Sequence, residues 1–241
     1  MDNTKHSPGY RPEYAKYCDH TVLKAFTKRE VVEAFCEEAM AYGAAAVCVN
    51  PVHVPLVKQK LAGTGINTCT VIGFPLGATT PAVKAFEAAE AVRNGADELD
   101  MVINVGALRD GDHELVLREI GGVVEAAGGK AKVKVIIETC YLTREEIVAA
   151  CKLAQKAGAH YAKTSSGFGT RGASVEDIEL MKQTVGDTME IKASTGILTQ
   201  EDAKRMIEAG ASRLGLSTLV HVVEGDTTIA TASKKNTCPG V

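Results

Sequence analysis

Short apolar runs alternate with longer amphipathic ones from residue 18 to residue 220, the order expected when strands and helices take turns along one chain. Eight runs carry the strand signal: residues 17–23, 45–50, 67–74, 98–104, 132–138, 161–165, 189–194 and 213–217. A Gly-Ala pair precedes the second, fourth, sixth and eighth, at Gly43, Gly95, Gly158 and Gly210, with spacings of 52, 63 and 52. Each glycine is placed to end a helix in the left-handed conformation, and each spacing is two βα units of roughly 25 to 30 residues. Four such pairs in phase favour a single α/β domain closed as a (β/α)8 TIM barrel over a doubly wound sheet. Helix starts fit the scheme, with Thr27 three residues before Glu30, Thr143 before Glu146 and Thr199 before Asp202, each resembling a capping box. The barrel is expected over residues 1–224, followed by a polar, mobile tail over 225–241.

Alternation within the strands predicts which side chains fill the barrel, because apolar positions that meet the helices leave their neighbours pointing inward. Leu99, Met101 and Ile103 face out, so Asp100, Val102 and Asn104 face in. Val133, Val135 and Ile137 likewise leave Lys134, Ile136 and Glu138 inside. Ile191 and Ala193 leave Glu190, Lys192 and Ser194, while Lys163 shares its inward face with Tyr161. A barrel interior normally holds branched aliphatics, and an unpaired charge there costs several kcal/mol. Each charge taken singly reads equally well as half of a structural ion pair. Two lysines on adjacent strands are harder to explain so, since like charges must be held apart or one must be neutral; this suits a Schiff-base site.

An amine attacks a carbonyl only when unprotonated, and a free lysine, with a pKa of about 10.4, is neutral on the order of one time in a thousand at pH 7. A charged Lys192 about 5 Å from Lys163 on the neighbouring strand would repel its proton by roughly 3 kcal/mol at an effective dielectric of about 20. This division of labour requires a carboxylate nearer Lys192 than Lys163, and Asp100 is the inward candidate. Asp100 and Lys192 would also relay protons beside the imine.

The composition excludes other classes. Net charge is −3 without a long basic run, which argues against nucleic acid. No stretch approaches a membrane span and the first ten residues lack a signal peptide's apolar core, so a cytoplasmic protein is expected. Seven scattered cysteines with no C-x-x-C, and six histidines with no His-x-His or His-x-x-x-His, supply no metal-ligand cluster; no metal or other cofactor is expected. The turns after the last three strands, 165–170, 194–196 and 215–218, are rich in small donors, where barrels often bind phosphate.

The segments Asp19-His20-Thr21-Val22-Leu23, Val47-Cys48-Val49-Asn50-Pro51, Val71-Ile72-Gly73-Phe74-Pro75-Leu76-Gly77, the run 95–104, Val135-Ile136-Ile137-Glu138-Thr139, Lys163-Thr164-Ser165-Ser166-Gly167-Phe168 and Lys192-Ala193-Ser194 resemble, in order, the deoxyribose-phosphate aldolases. The resemblance runs from about Tyr17 to Val220. It implies a class I aldolase that reversibly cleaves 2-deoxy-D-ribose 5-phosphate to D-glyceraldehyde 3-phosphate and acetaldehyde, small-molecule substrates, usually as a homo-oligomer. It implies Lys163 as the Schiff-base lysine and Asp100 with Lys192 as the proton-transfer pair. Ser194, Gly196, Gly215 and Ser217 would hold the phosphate, with Thr164 and Gly167 also at the substrate. Asp19 and Glu138 would bind substrate hydroxyls or support the lysines as ion pairs. Cys48 and Tyr161 are read as packing.

Two departures stand out. The family's usual Ser-Gly-Gly-Ile-Arg reads Ser194-Thr195-Gly196-Ile197-Leu198, losing one glycine and a cation, and Leu216 replaces a small residue. Some relatives place a C-terminal tyrosine in the site, whereas the last tyrosine here is Tyr161. The alternatives are a Schiff-base aldolase or transaldolase of another aldehyde pair, phosphorylated or unphosphorylated, and a barrel that only binds.

Overall fold

Eight parallel strands close on themselves in sequence order in the computed structural model, which describes residues 6–235. They are β1 (Cys18–Val22), β2 (Ala46–Val49), β3 (Asn67–Ile72), β4 (Glu98–Val102), β5 (Lys132–Ile136), β6 (Tyr161–Lys163), β7 (Glu190–Ser194) and β8 (Arg213–Leu216). All eight fall inside the expected runs. The helices are α1 (Arg29–Tyr42), α2 (Val54–Lys60), α3 (Pro81–Arg93), α4 (Val105–Arg109), α5 (His113–Ala127), α6 (Arg144–Lys156), α7 (Val175–Val185), α8 (Gln200–Glu208), α9 (Leu219–Glu224) and α10 (Ala232–Lys235).

Gly43, Gly95, Gly158 and Gly210 all have φ between 73° and 115°, the left-handed turn that their phase in the sequence predicts. Thr143 and Thr199 form capping boxes with Glu146 and Asp202. Thr27 does not: the chain enters α1 one residue later, with Lys28 at the cap position.

The apolar core lies between strands and helices. Leu99, Met101, Ile103, Val133, Val135 and Ile137 are fully buried there, as alternation requires. A separate apolar cluster of Ala46, Cys48, Cys69 and Val71 fills one side of the barrel interior. The expected inward set needs two corrections. Glu190 is exposed, because it sits where β7 begins and the barrel is open. Asn104 lies beyond β4, where its side chain accepts the Ala107 N–H and caps α4.

Between α3 and α5, Lys84 donates to Glu119 Oε2 at 2.6 Å and to the Val102 carbonyl at 2.8 Å, while Glu119 Oε1 accepts the Asn104 N–H at 2.6 Å. A fully buried ion pair thus braces the end of β4. Of the segment expected as a tail, residues 225–235 turn back along α1, where the Ala232 N–H meets Glu38 Oε1 at 2.5 Å; residues 236–241, with Cys238, lie outside the described residues. No described helix is long and apolar enough to cross a membrane.

Candidate active site

Register brings the inward charges together. Lys163 pairs with Lys192 across β6 and β7, and Asp100 with Lys134 across β4 and β5. Their side chains converge on Asp100. Its Oδ2 accepts hydrogen bonds from Lys163 Nζ and Lys192 Nζ, both at 2.7 Å, and its Oδ1 accepts from Lys134 Nζ at 2.8 Å and Cys69 Sγ at 3.2 Å. Lys192 also donates to Asp19 Oδ2. Arg213 reaches Asp19 Oδ1 at 2.6 Å and Glu98 Oε2 at 3.0 Å, and Lys134 reaches Glu98 at 2.5 Å.

Two sequence expectations change. Asp100 is equidistant from the two lysines; the carboxylate that Lys192 has and Lys163 lacks is Asp19. Asp19 itself is fully buried and its oxygens are taken up by Lys192 and Arg213, which is the ion-pair arrangement. Glu98 and Arg213 were not picked out from the sequence, and Lys134 was placed inside without a role. The signal was available, since Glu98 and Arg213 lie two residues before Asp100 and Gly215 on the same strand faces.

The cluster holds its charge firmly. Burial pushes the Asp100 carboxyl upward, but Lys134, Lys163 and Lys192 together outweigh it and keep the group well below the usual carboxylate range. Asp19 is likewise penalised by burial and then lowered by Lys134, Lys192 and Arg213. Burial lowers Lys134 and Lys192, yet Asp100 and Asp19 reverse the sign and hold both ammoniums above the ordinary lysine value. Among the three lysines only Lys163 keeps any exposure, 3 % against none for the others.

Beyond the C-terminal ends of the strands lies a cavity of about 300 Å³, walled by the loops after β1, β6, β7 and β8. Of the residues expected at the phosphate, Gly167, Gly196, Gly215 and Ser217 line it. Thr164, Ser194 and Asp19 sit deeper and do not. Thr164 Oγ1 accepts from Ser165 and the Ser194 N–H, and Ser194 Oγ is buried without a hydrogen-bond partner among the described residues. Glu138 has turned out of line with β5 at φ 57° and accepts the Ser166 N–H at 3.1 Å as well as the Ser166 hydroxyl, fixing the loop that follows Lys163. Thr195 adopts φ 72°, a conformation that favours the glycine the family usually has there.

Cys48, Cys69 and Asp100 form one grouping of possible metal ligands, and Asp19, Cys69 and Glu98 another. Their carboxylate oxygens already bind ammonium or guanidinium groups, so a divalent cation would enter against buried positive charge. The six described cysteines are free thiols, five of them buried, and burial raises Cys36 to about 11 and Cys151 to about 12.

A closed (β/α)8 barrel with a buried lysine pair bridged by one carboxylate beneath an open cavity defines a barrel lyase acting on carbonyl compounds. The DeoC/LacD family aldolase profile matches residues 14–221, and the chain belongs to that family. It is 58% identical over 212 residues to the deoxyribose-phosphate aldolase of Listeria monocytogenes serotype 4a, covering 88% of this chain and 95% of that protein. It is 57% identical over 217 residues to that of Bacillus cereus strain AH820, covering 90% and 97%. Among solved structures, an aldolase called QR15 superposes with a TM-score of 0.84 at 40% identity, covering 88% and 95%. A deoxyribose phosphate aldolase from Aeropyrum pernix, described as a unique tetramer, superposes with 0.83 at 32% identity, covering 89% and 91%.

Proposed function

We propose that this protein reversibly cleaves 2-deoxy-D-ribose 5-phosphate to D-glyceraldehyde 3-phosphate and acetaldehyde through an imine at Lys163. The observation that carries the reading is the single carboxylate oxygen of Asp100 shared by Lys163 and Lys192. Around Lys163 the cluster sets three cations, Lys134, Lys192 and Arg213, against three carboxylates, Asp19, Glu98 and Asp100, so the reacting lysine is not needed to balance the buried charge.

The Lys163 amine adds to the open-chain aldehyde carbon, and the carbinolamine loses water to give an iminium. The Asp100 and Lys192 pair, acting through a water, takes the proton from the C3 hydroxyl. The C2–C3 bond breaks, its electron pair flows to the iminium nitrogen as an enamine, and glyceraldehyde 3-phosphate departs. Protonation of the enamine at C2 and addition of water then release acetaldehyde and restore the amine. The fixed charges stabilise the cationic intermediate without reorganising, as preorganised electrostatics requires. Gly196, Gly215 and Ser217 wall the space that would receive the phosphate end, while Ser194 offers a buried hydroxyl beneath it.

Free thiols and close likeness to bacterial aldolases support action in the cytoplasm, and the tetramer of the Aeropyrum relative supports an assembly of identical subunits. Borohydride reduction in the presence of acetaldehyde, followed by peptide mass mapping, tests the core of the reading: a two-carbon adduct on Lys163 is expected, and its absence there would sink it.

A further inference from the structure

The family's usual cation after β7 is replaced by Leu198, which lines the cavity as an exposed apolar residue. The backbone on that side is also committed. Asp202 Oδ2 accepts the N–H groups of both Leu198 and Thr199 at 3.0 Å, so these donors are spent and an acidic side chain stands behind the loop. An anionic substrate end pressing on this wall would meet no compensating charge from it.

The opposite wall supplies one. Among the described residues that line the cavity, Lys24, on the loop after β1, is the one charged side chain. Its ammonium makes no ion pair or hydrogen bond with any described residue. Its Nζ sits 6.0 Å from the centre of the Phe168 ring, and Phe168 lies on the loop that follows Lys163 and also lines the cavity. A cation over a ring face is held loosely, by roughly 0.5–1 kcal/mol at an exposed site, and stays free to meet a stronger partner. Phe168 also makes an edge contact with Phe74, ring centres 5.3 Å apart, which steadies the ring beneath the cation.

We infer that Lys24 is the specificity-determining residue for a phosphorylated substrate: it moves from the Phe168 face to the phosphate oxygens and takes the place of the cation missing after β7. The cationic contact therefore comes across the cavity from the first βα loop. This inference rests on the aldolase reading above and adds to it the residue that distinguishes a phosphorylated from an unphosphorylated sugar.

The test compares the intact protein with Lys24→Ala and Lys24→Arg, measuring retro-aldol kinetics with 2-deoxyribose 5-phosphate and 2-deoxyribose in parallel at low and raised salt. A lost charge-assisted contact predicts that Lys24→Ala lowers the kcat/KM ratio of phosphorylated to unphosphorylated sugar by about tenfold or more, mainly through KM. Lys24→Arg should keep most of the preference, and Lys24→Ala combined with Leu198→Arg should regain it. The preference of the unaltered protein should also weaken with salt, because the contact is exposed. A ratio in Lys24→Ala within twofold of the original, with both activities intact, overturns the assignment and leaves the aldolase reading standing. If the unaltered protein cleaves neither sugar and acetaldehyde cannot be trapped on Lys163, the aldolase reading falls and this inference with it.

Discussion

Replacing Lys192 by methionine separates a proton relay from a structural ion pair. The ammonium lies 2.7 Å from Asp100 Oδ2, a gross attraction of about 6 kcal/mol at an effective dielectric of about 20. Much of this was spent on desolvation, and neither carboxylate is stranded by the change. Asp100 keeps Lys163 at 2.7 Å and Lys134 at 2.8 Å, and Asp19 keeps Arg213 at 2.6 Å. The net loss of stability should therefore fall near the lower end of the range for breaking a buried pair, about 3 kcal/mol, read as a shift of the urea unfolding midpoint. Turnover should suffer far more than stability alone implies. Loss of a positioned acid–base group removes about a hundred- to ten-thousand-fold in kcat. Lys134→Met is the control. Lys134 contacts three carboxylates and binds Asp100 on Oδ1, the oxygen facing away from Lys163, so its removal should cost at least as much stability but no more than about tenfold in kcat. Near-normal turnover of Lys192→Met at pH 7, or equal loss of kcat in both folded variants, would refute the relay.

Four further outcomes are expected. Thr195→Gly should raise stability by up to about 1 kcal/mol in chemical denaturation, since relief of a left-handed β-branched residue exceeds the entropy glycine adds to the unfolded chain; a destabilised variant would show that Thr195 is not strained. Gly215→Ala would place a Cβ 2.2 Å from Ser194 Oγ and 3.0 Å from Lys192 Cε, so aldol turnover should drop at least tenfold, and wild-type kcat/KM in that variant contradicts the packing described. Asp19 and Asp100, held below the ordinary carboxylate range, add stability that is complete above about pH 4 and is lost on further acidification; Lys134 and Lys192, held above theirs, add stability that is complete below about pH 10 and is lost as pH climbs. The stability difference between the protein and Lys134→Met should then be constant from about pH 5 to 9, and a slope in that window would count against fixed charges. Activity should withstand dialysis against EDTA, because the available ligands are occupied by cations; loss that zinc reverses would overturn this.

Strands were legible because apolar alternation marks them and a left-handed glycine precedes the second, fourth, sixth and eighth. The start of α1 was not, since Thr27 and Glu30 match a capping pattern that a chain one residue further along does not use. In the site, alternation correctly put Asp100, Lys163 and Lys192 inside; register sets the two lysines side by side, and the closed barrel brings Asp100 across the interior to both. What alternation could not supply was the partner of each charge. Asp19 and Arg213 come from the first and last strands, and only closure of β1 against β8 reveals that they meet. The loop residues were the least legible, because Glu138 and Asn104 leave the strand path where period-two reasoning stops applying.

That closure has a consequence for how the protein is made. The ionic cluster draws Asp19 from the first strand and Arg213 from the last, so a chain emerging from the ribosome carries its buried carboxylates long before their final counter-charge exists. Partial barrels would hold Asp19 and Glu98 with Lys134 and Lys192 but one counter-charge short, which penalises early burial and postpones consolidation until the eighth strand is complete. Such a chain gains its chemistry and its last increment of order in one event, and fragments ending before β8 should be both inactive and loosely folded.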